Sequence, residues 1–363
     1  MLDRCAVAPF AVRRRSGPRG SARALAQLAL AAVLGSGCGE EQPPEQWRIA
    51  LEEVPGGVQH AYAERFAEEV EARTDGAVEL SIYPFGALGE REAIYRQLQD
   101  NAVHFAFGSA DLARHVPESQ AFHLHYVLSE DARVNAHALN DPELLRSEPV
   151  QAAYAEARLE LLALVPEGWM AWSADRPLRR PADLEGLRVA TGDHDLLHHT
   201  FRAYGAHATH LEPEEAVREA ERGGIDVLAQ PLFRHRELGS DEVHGHYTIA
   251  RQTPYVASFM ASSMFWDRIS SERRGMLREI AAELAEWAHE EQASLNDEAL
   301  STLQSRSGVE VHELDAAERE AFRDRARPLR AVYTSLAGPR SEDILIRLLD
   351  AVERAEAEHG PAG

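Results

Sequence analysis

Two spacings of apolar residues alternate along the first third of the chain. Short apolar stretches typical of strands are separated by segments in which apolar residues recur every three to four positions, as in an amphipathic helix. In chain order the pieces are the strand WRIALEE (47–53), the helix VQHAYAERFAEEVEARTDGA (58–77), the strand VELSIYPF (78–85), the helix LGEREAIYRQLQDN (88–101) and the strand VHFAFGSA (103–110). This alternation predicts a parallel sheet covered by helices on both faces.

The same pattern restarts in the middle of the chain, after helical segments from about Asp131 to Arg158 and the strand LELLALV (159–165). Strands and helices alternate again from Gly168 to Pro254, which predicts a second α/β unit. Its predicted strands are GWMAWSA (168–174), LRVAT (187–191), HATHL (207–211) and IDVLAQP (225–231), with helices at 195–205 and 212–224. A strand-like segment, YVASFMASSMFW (255–266), follows.

A very long helical pattern runs from Ser271 to Arg306, and GVEVHEL (308–314) and two more helices follow it. A helix of that length spans about 50 Å, more than the core of either unit. The predicted fold is therefore α/β, with two doubly wound domains joined by a hinge and one long helix across both. We assign residues 47–167 with 256–295 to domain I, and 168–255 with 296–349 to domain II. Ligands in such sheets bind at the carboxyl ends of the strands, so the cleft between the domains is the predicted site.

The first 46 residues follow a different pattern. Six Arg and one acidic residue precede the apolar run ALAQLALAAVLGSGC, which predicts an export signal peptide over residues 1–37, cleaved before Cys38. The segment VLGSGC resembles a lipobox, so we expect Cys38 to be lipidated and to anchor the chain to a membrane; cleavage and free release is the alternative. Residues 38–46 then form a polar linker.

Composition excludes several function classes. The 363 residues carry a formal charge of -22, which argues against nucleic acid as a partner. The motifs of common enzymes, such as GxSxG and HExxH, are absent, and we predict neither enzymatic activity nor a cofactor. His194, His198 and His199 have helical spacing that a metal could use, but no further ligand can be assigned, so we predict no metal site. An enzyme using Glu215 or this histidine cluster is the least favoured alternative.

Four segments in order resemble the DctP-type solute-binding proteins of TRAP (tripartite ATP-independent periplasmic) transporters. They are FAEEVEARTDGAVELSIYPFGALGEREAIYRQLQDNAVHFAFGSA, PLRRPADLEGLRVA, YGAHATHLEPEEAVREAERGGIDVLAQP and the Trp266 segment before the long helix. The resemblance implies a periplasmic protein that closes two domains around a small solute and delivers it to the small and large TRAP membrane subunits. A sensory binding lipoprotein of the same fold is an alternative.

Two arginines that the resemblance leads us to expect are missing. The family's carboxylate-binding Arg falls at Ala190 and a second common Arg at Met170, while the family's amide falls at Gln230 and its acidic residue at Glu215. A carboxylate buried without a cation costs several kcal/mol. We therefore expect a more apolar or uncharged solute. The alternative is an organic acid held by a relocated arginine, for which the candidates are Arg188, Arg91, Arg234 and Arg251.

Closure around a solute requires contacts from both domains. We expect apolar contacts with the solute from aromatic residues and Met170, and polar contacts from amides and one carboxylate. The predicted solute-binding residues are Gln59, Glu90, Phe107 and Ser109 from domain I, and Met170, Trp172, Ala190, Pro213, Gln230 and Phe233 from domain II.

Overall fold

The computed structural model describes residues 43–360. The predicted signal peptide, Cys38 and the first part of the linker lie outside the described residues. The strands are β1 Glu45–Ala50, β2 Val78–Tyr83, β3 Phe105–Gly108, β4 Leu159–Ala174, β5 Arg188–Ala190, β6 His207–Thr209, β7 Val227–Pro231, β8 His246–Ser262 and β9 Glu310–Glu313.

Thirteen α-helices accompany the strands of residues 43–360. They are α1 Val58–Arg73, α2 Arg91–Gln99, α3 Ala132–Leu139, α4 Pro142–Leu145, α5 Glu148–Glu156, α6 Asp195–Ala203, α7 Pro213–Glu221, α8 Leu232–Glu237, α9 Ser263–Trp266, α10 Ser271–Ser305, α11 Ala316–Ala326, α12 Leu329–Leu336 and α13 Ser341–His359. Short 3-10 helices lie at Ala110–Arg114, Pro117–His123, Pro181–Leu184 and Ser240–Glu242. Within this part of the chain, no helix combines the length and the apolar character needed to cross a membrane.

The described strands form one sheet, in which two parallel groups are joined by two long antiparallel strands. The order is β2-β1-β3-β8-β4-β7-β5-β6, and β9 pairs with β8. β1, β2 and β3 are parallel to one another, as are β5, β6 and β7. β4 and β8 pair with each other along their length and run through both halves of the sheet. The two α/β domains are thus confirmed, although β4 and β8 make the sheet mixed rather than purely parallel.

The chain crosses between the halves at an irregular point of β4. The pairing of β4 with β8 shifts register between Pro166 and Trp169. Gly168 has a φ of +93°, and a Cβ built there would lie 2.0 Å from the side-chain nitrogen of Asn296 on α10. A left-handed backbone in close contact with a helix favours glycine at this position.

Helix α10 packs on both halves, as predicted. Its first half contributes Leu277 and Ile280 to the core around β1, β3 and α1, whereas Ala299 and Leu303 near its end join a smaller cluster with Tyr247 of β8. The C-terminal helix α13 packs on α3 and α4, and Arg354 Nε donates to Asp141 Oδ2 at 2.8 Å. The domain bounds stay a prediction.

Candidate functional site

A cavity of about 80 Å³ lies where strands from both halves of the sheet end. β3 ends at Gly108, β5 at Ala190 and β7 at Pro231, and the residues around these ends form its walls. The lining residues are Arg91, Ser109, Ala110, Asp111, Met170, Ala190, Thr191, Gly192, Leu197, Phe201, Leu211, Pro213, Ala216, Leu228, Ala229, Gln230, Pro231, Arg234 and Tyr255. Small-molecule sites typically have such apolar walls with a few polar groups among them.

Arg91 brings a guanidinium to the cavity from the first turn of α2. Arg91 is 6% exposed, and its Nε lies 3.8 Å from Asp111 Oδ2. The guanidinium stands 4.8 Å from the centre of the Phe85 ring, a cation–π arrangement. Its Nη2 is buried and has no hydrogen-bond partner among the described residues. This nitrogen is therefore a free donor for a ligand.

Arg234 brings a second guanidinium from α8, directly after β7. It is 7% exposed, and its Nη1 donates to the hydroxyl of Tyr255 at 3.1 Å. Tyr255 donates to Ser109 Oγ at 2.5 Å, and Ser109 donates to Glu52 Oε2 at 2.6 Å. The Nε of Arg234 has no partner among the described residues. A chain of hydrogen bonds thus fixes one side of this guanidinium and leaves another free.

Both guanidinium groups stay charged. Burial and the charge of Arg234 lower the pKa of Arg91, but Glu52, Tyr255 and Asp111 outweigh them and leave that pKa raised. Burial also lowers the pKa of Arg234, yet Tyr255 and the carboxylates of Glu237, Glu52 and Glu53 raise it overall. Two like charges therefore share the cavity wall with acidic groups close behind them.

The buried carboxyl groups of Glu52, Glu53 and Glu167 lie beside this wall. Gln59 bonds to two of these residues: its Oε1 accepts from the backbone N–H of Glu52 at 2.9 Å, and its Nε2 donates to Glu167 Oε1 at 3.0 Å. Burial and then the repulsion of Glu237 raise the pKa of Glu53 to about 7. Burial and the charge of Glu53 raise the pKa of Glu167 well above its usual range. Glu53 and Glu167 thus hold a proton between them near neutral pH.

Five of the ten predicted solute-binding residues line the cavity: Ser109, Met170, Ala190, Pro213 and Gln230. Gln230 also has a buried Oε1 without a partner among the described residues, so it can accept a hydrogen bond from a ligand. That these residues contact a solute stays a prediction.

The other five do not line this cavity, and their contact with a solute also stays a prediction. Phe107 is fully buried against Tyr62 and Phe259 in the core of the first half, and Trp172 is buried against Phe322 in the second. Each sits on a strand covered on both faces, where an aromatic residue packs as core. Gln59 is engaged with the buried carboxyl groups, Glu90 lies on an adjoining cleft, and Phe233 contacts Tyr255 from outside the lining.

The four arginines named as candidates separate into two pairs. Arg91 and Arg234 line the cavity, whereas Arg188 is tied to Asp226 by hydrogen bonds of 2.7 and 2.8 Å at the surface. Arg251 contacts Glu313 at 3.5 Å, also outside the cavity. Two of the four candidate cations thus reach the cavity, from α2 and α8 rather than from β5.

Sequence reasoning missed several lining residues, among them Asp111, Thr191 and Tyr255. Asp111 and Thr191 come just after β3 and β5, so the rule that sites lie beyond strand ends could have found them. Tyr255 lies within the long strand β8, where no local pattern distinguishes it.

The histidines at and after the start of α6 have different surroundings. His194 is buried, and its Nδ1 accepts from the backbone N–H of Leu197 at 3.2 Å as the N-cap of the helix. Burial lowers its pKa well below the usual range. His198 stacks on His210 with ring centres 4.5 Å apart, and Glu215 is exposed on α7.

Comparisons with known proteins agree on one family. Residues 50–335 match the family described as DctP, bacterial extracellular solute-binding protein, family 7. The ectoine-binding periplasmic protein TeaA of Halomonas elongata is 28% identical over 86% of this chain and 92% of its own. The ectoine/5-hydroxyectoine-binding periplasmic protein UehA of Ruegeria pomeroyi is 28% identical over 87% of this chain and 93% of its own.

Solved structures show the same fold. A TRAP periplasmic solute-binding protein of Marinobacter aquaeolei VT8, in an apo open form, superposes with a TM-score of 0.79 at 36% identity, covering 84% of this chain and 99% of its own. The structure of TeaA superposes with a TM-score of 0.79 at 27% identity, covering 85% and 100%. With a family match over most of its length and a shared fold, this chain belongs to the family 7 bacterial extracellular solute-binding proteins, the DctP-type proteins of TRAP transporters.

Proposed function

We propose that this TRAP solute-binding protein takes a compact zwitterionic organic acid, and that Arg91 and Arg234 together hold its carboxylate. The proposal rests on one observation above all: two buried guanidinium groups face one cavity, and each keeps a nitrogen without a partner among the described residues. An unpaired buried donor costs about 1–3 kcal/mol, more when it is charged, and a bound carboxylate would recover that cost. Arg–carboxylate hydrogen bonds are also the strong, charge-assisted kind.

The surrounding acids favour a zwitterion over a dianion. Glu52 and Asp111 already offset much of the charge of Arg91, and Glu52 and Glu53 do the same for Arg234. A second carboxylate on the solute would meet these acids without a cation of its own. A solute with one carboxylate and one cationic N–H group adds no net charge, and Asp111 and the free Oε1 of Gln230 can accept its hydrogen bonds.

Two relatives support this solute class. TeaA and UehA are both named as ectoine-binding proteins, and ectoine is a small ring that carries a carboxylate and an amidinium cation. The apolar lining residues Met170, Leu197 and Leu228 offer contact to the carbons of such a ring. Ectoine is therefore the first solute to test.

An uncharged, more apolar solute is the second candidate, and it is the one that we expect from the sequence alone. The alanine at position 190 and the aliphatic walls favour it, because neither contributes a group for an ion. It requires that Arg91 and Arg234 keep their acidic neighbours as their only partners.

Isothermal titration of the exported chain from Gly39 onward tests the proposal with ectoine, succinate and a neutral ring amide of similar size. We expect ectoine to bind at least tenfold more tightly than either of the others. Arg234→Gln should weaken ectoine binding thirtyfold or more, because removing one partner of a buried charged pair costs about 2–5 kcal/mol. Arg251→Gln is the matched control and should change the affinity less than twofold.

Tighter binding of the neutral amide, unchanged in Arg91→Gln and Arg234→Gln, would contradict the proposal and favour the second candidate. Tighter binding of succinate would instead indicate an ordinary organic-acid binder with relocated arginines.

We also propose that the protein is anchored at a membrane through a lipidated Cys38 and passes its solute to TRAP membrane subunits. The lipobox-like sequence before Cys38 and the polar linker after it support the anchor. Metabolic labelling with palmitate should mark the wild-type chain and leave Cys38→Ser unlabelled. Genes for the small and large membrane subunits beside this gene would favour transport over a sensory role.

A further inference from the structure

Two histidines and a glutamate converge on the outer strand pair β8–β9, away from the cavity. β8 and β9 run parallel, with His246 opposite Glu310 and Thr248 opposite His312. Side chains opposite one another point to the same face, as do those two positions apart on a strand. The register therefore brings His246, Glu310 and His312 together, although His312 lies 66 positions after His246 in the chain.

The three ligand atoms are spaced as around a single ion. His246 Nδ1 lies 3.1 Å from His312 Nε2, and Glu310 Oε2 lies 3.8 Å and 3.6 Å from these two nitrogens. A tetrahedral Zn²⁺ with bonds of about 2.1 Å would set its ligand atoms about 3.4 Å apart. Shifts of a few tenths of an ångström would bring all three atoms to that spacing.

The three side chains differ in their exposure to solvent. The side chains of His246 and His312 are 24% and 13% exposed, which limits their rotamers, while Glu310 is 66% exposed. The more exposed carboxylate leaves a path for the ion from solvent.

We infer that His246, Glu310 and His312 form a binding site for a divalent transition metal of the Zn²⁺ type, with the remaining position taken by water. Two imidazoles and one carboxylate suit Zn²⁺, Cu²⁺ or Ni²⁺ rather than Mg²⁺ or Ca²⁺, which prefer all-oxygen sites. The ion would tie β9, and with it the segment between α10 and α11, to the sheet of the second half. No local pattern in the chain indicates this site, because its ligands come from two distant segments.

The test uses the exported chain without a polyhistidine tag, stripped with EDTA and titrated with ZnCl₂ at pH 7.5 in the absence of solute. We expect one Zn²⁺ per chain with a micromolar dissociation constant. His312→Ala and His246→Ala should each weaken binding at least thirtyfold, and Glu310→Gln about tenfold. His207→Ala and Glu313→Gln, which alter an exposed histidine and a neighbouring exposed glutamate, should leave binding unchanged.

A second readout is independent of calorimetry. Co²⁺ added to the stripped wild-type chain should give visible absorption bands that are lost in His312→Ala, and circular dichroism will show that the variant is folded. Absence of Zn²⁺ binding up to millimolar concentration, or full binding by the double variant of His246 and His312, overturns the inference. Neither result affects the solute proposal, because no solute is present.

Discussion

At the scale of the residue, two buried arginines line the cavity although position 190 is an alanine. A solute carboxylate responds to where a guanidinium lies and not to which element carries it, so Arg91 on α2 and Arg234 on α8 can replace an arginine at position 190. Burying them is costly, and Glu52, Asp111 and Tyr255 offset that cost by pairing with their charge or accepting their hydrogen bonds.

Tyr255→Phe tests whether the hydrogen-bond chain orients Arg234. The variant removes the acceptor for Arg234 Nη1 and leaves a buried donor unpaired, so we expect the dissociation constant of the solute to rise about tenfold. Titration calorimetry measures it. Tyr154→Phe is the control, because its hydroxyl bonds to Ser258 at 2.7 Å outside the cavity lining. Equal affinities of the two variants would show that Arg234 needs no such support.

Glu167→Gln tests the shared proton of the buried carboxyl pair. The pKa of Glu53 is about 7 in the folded chain against an ordinary value of 4.5, so the folded state binds more protons than the unfolded state between these values. The free energy of unfolding must therefore fall as pH rises from about 4.5 to 7. Burial and the charge of Glu53 also raise the pKa of Glu167, which adds to this loss, and Glu167→Gln removes that second titrating group.

We expect Glu167→Gln to be more stable than wild type at pH 8, on the order of 2 kcal/mol, and to lose most of that advantage at pH 5. Urea unfolding at the two pH values measures the difference. Glu290→Gln, at an exposed position, should match wild type at both. An advantage for Glu167→Gln that is the same at both pH values would show that the pair does not hold a proton.

Half of the predicted contact residues line the cavity, and the residues at strand ends were easier to predict than those within buried strands. Residues next to strand ends, such as Ser109 and Ala190, could be predicted because topology alone brings strand ends together. The core positions of Phe107 and Trp172 could not be predicted, because alternation along a strand covered on both faces does not reveal which face meets the ligand. Which arginine enters the cavity depends on the position of α2 and α8, which no local pattern encodes.

At the scale of the element, β4 and β8 link the halves of the sheet, and Gly168 marks the crossing on β4. Its positive φ and its contact with Asn296 of α10 are two separate reasons for glycine. Gly186 has only the positive φ, of +75°, because nothing lies within 4 Å of a Cβ built there. Comparing Gly168 with Gly186 therefore distinguishes the energetic cost of the backbone conformation from that of close packing.

Gly186→Ala should lower the free energy of unfolding by about 1 kcal/mol, and Gly168→Ala by about 3 kcal/mol, because it adds a steric clash to the backbone cost. Asn296→Ala in the Gly168→Ala background should recover the part of the free energy of unfolding that the steric clash removes, but not the part that the backbone conformation costs. Urea unfolding of the four proteins measures this. Equal losses at the two glycines would mean that Asn296 moves aside freely.

Two strands predicted from the sequence are one strand in the structure. LELLALV and GWMAWSA form the single strand β4, because the Pro166–Gly168 segment shifts register instead of ending the strand. The first half of β8, from His246 to Pro254, was missed, since its residues are polar and mixed in character. The parallel strands were found because their apolar runs are flanked by clear helices.

At the scale of the whole molecule, contacts across the mouth of the cleft connect the two halves. Arg114, after β3, pairs with Asp193, after β5, and both side chains are partly exposed. Deeper in, the backbone N–H of Leu196 donates to Gln120 Oε1 at 3.1 Å. Partly exposed ion pairs contribute about 0–1 kcal/mol and are screened by salt.

Asp193→Asn should therefore raise the dissociation constant of the solute about two- to fivefold at low salt and less than twofold at 0.5 M salt, because the lost pair favours closure only where it is unscreened. Calorimetry at the two salt concentrations measures this, and small-angle scattering should show a more extended unliganded chain. Asp195→Asn is the neighbouring control. A loss that does not depend on salt would assign Asp193 a direct contact with the solute.

The placement of α10 has a consequence for how affinity can change. Its first half is held in a large core, whereas its far end rests on the small cluster around Ala299 and Leu303. Any domain rotation that separates this end from the sheet exposes those side chains, at about 3 kcal/mol. Substitutions at this remote contact can thus tune how readily the protein retains its cargo, while every wall of the binding chamber keeps its chemistry.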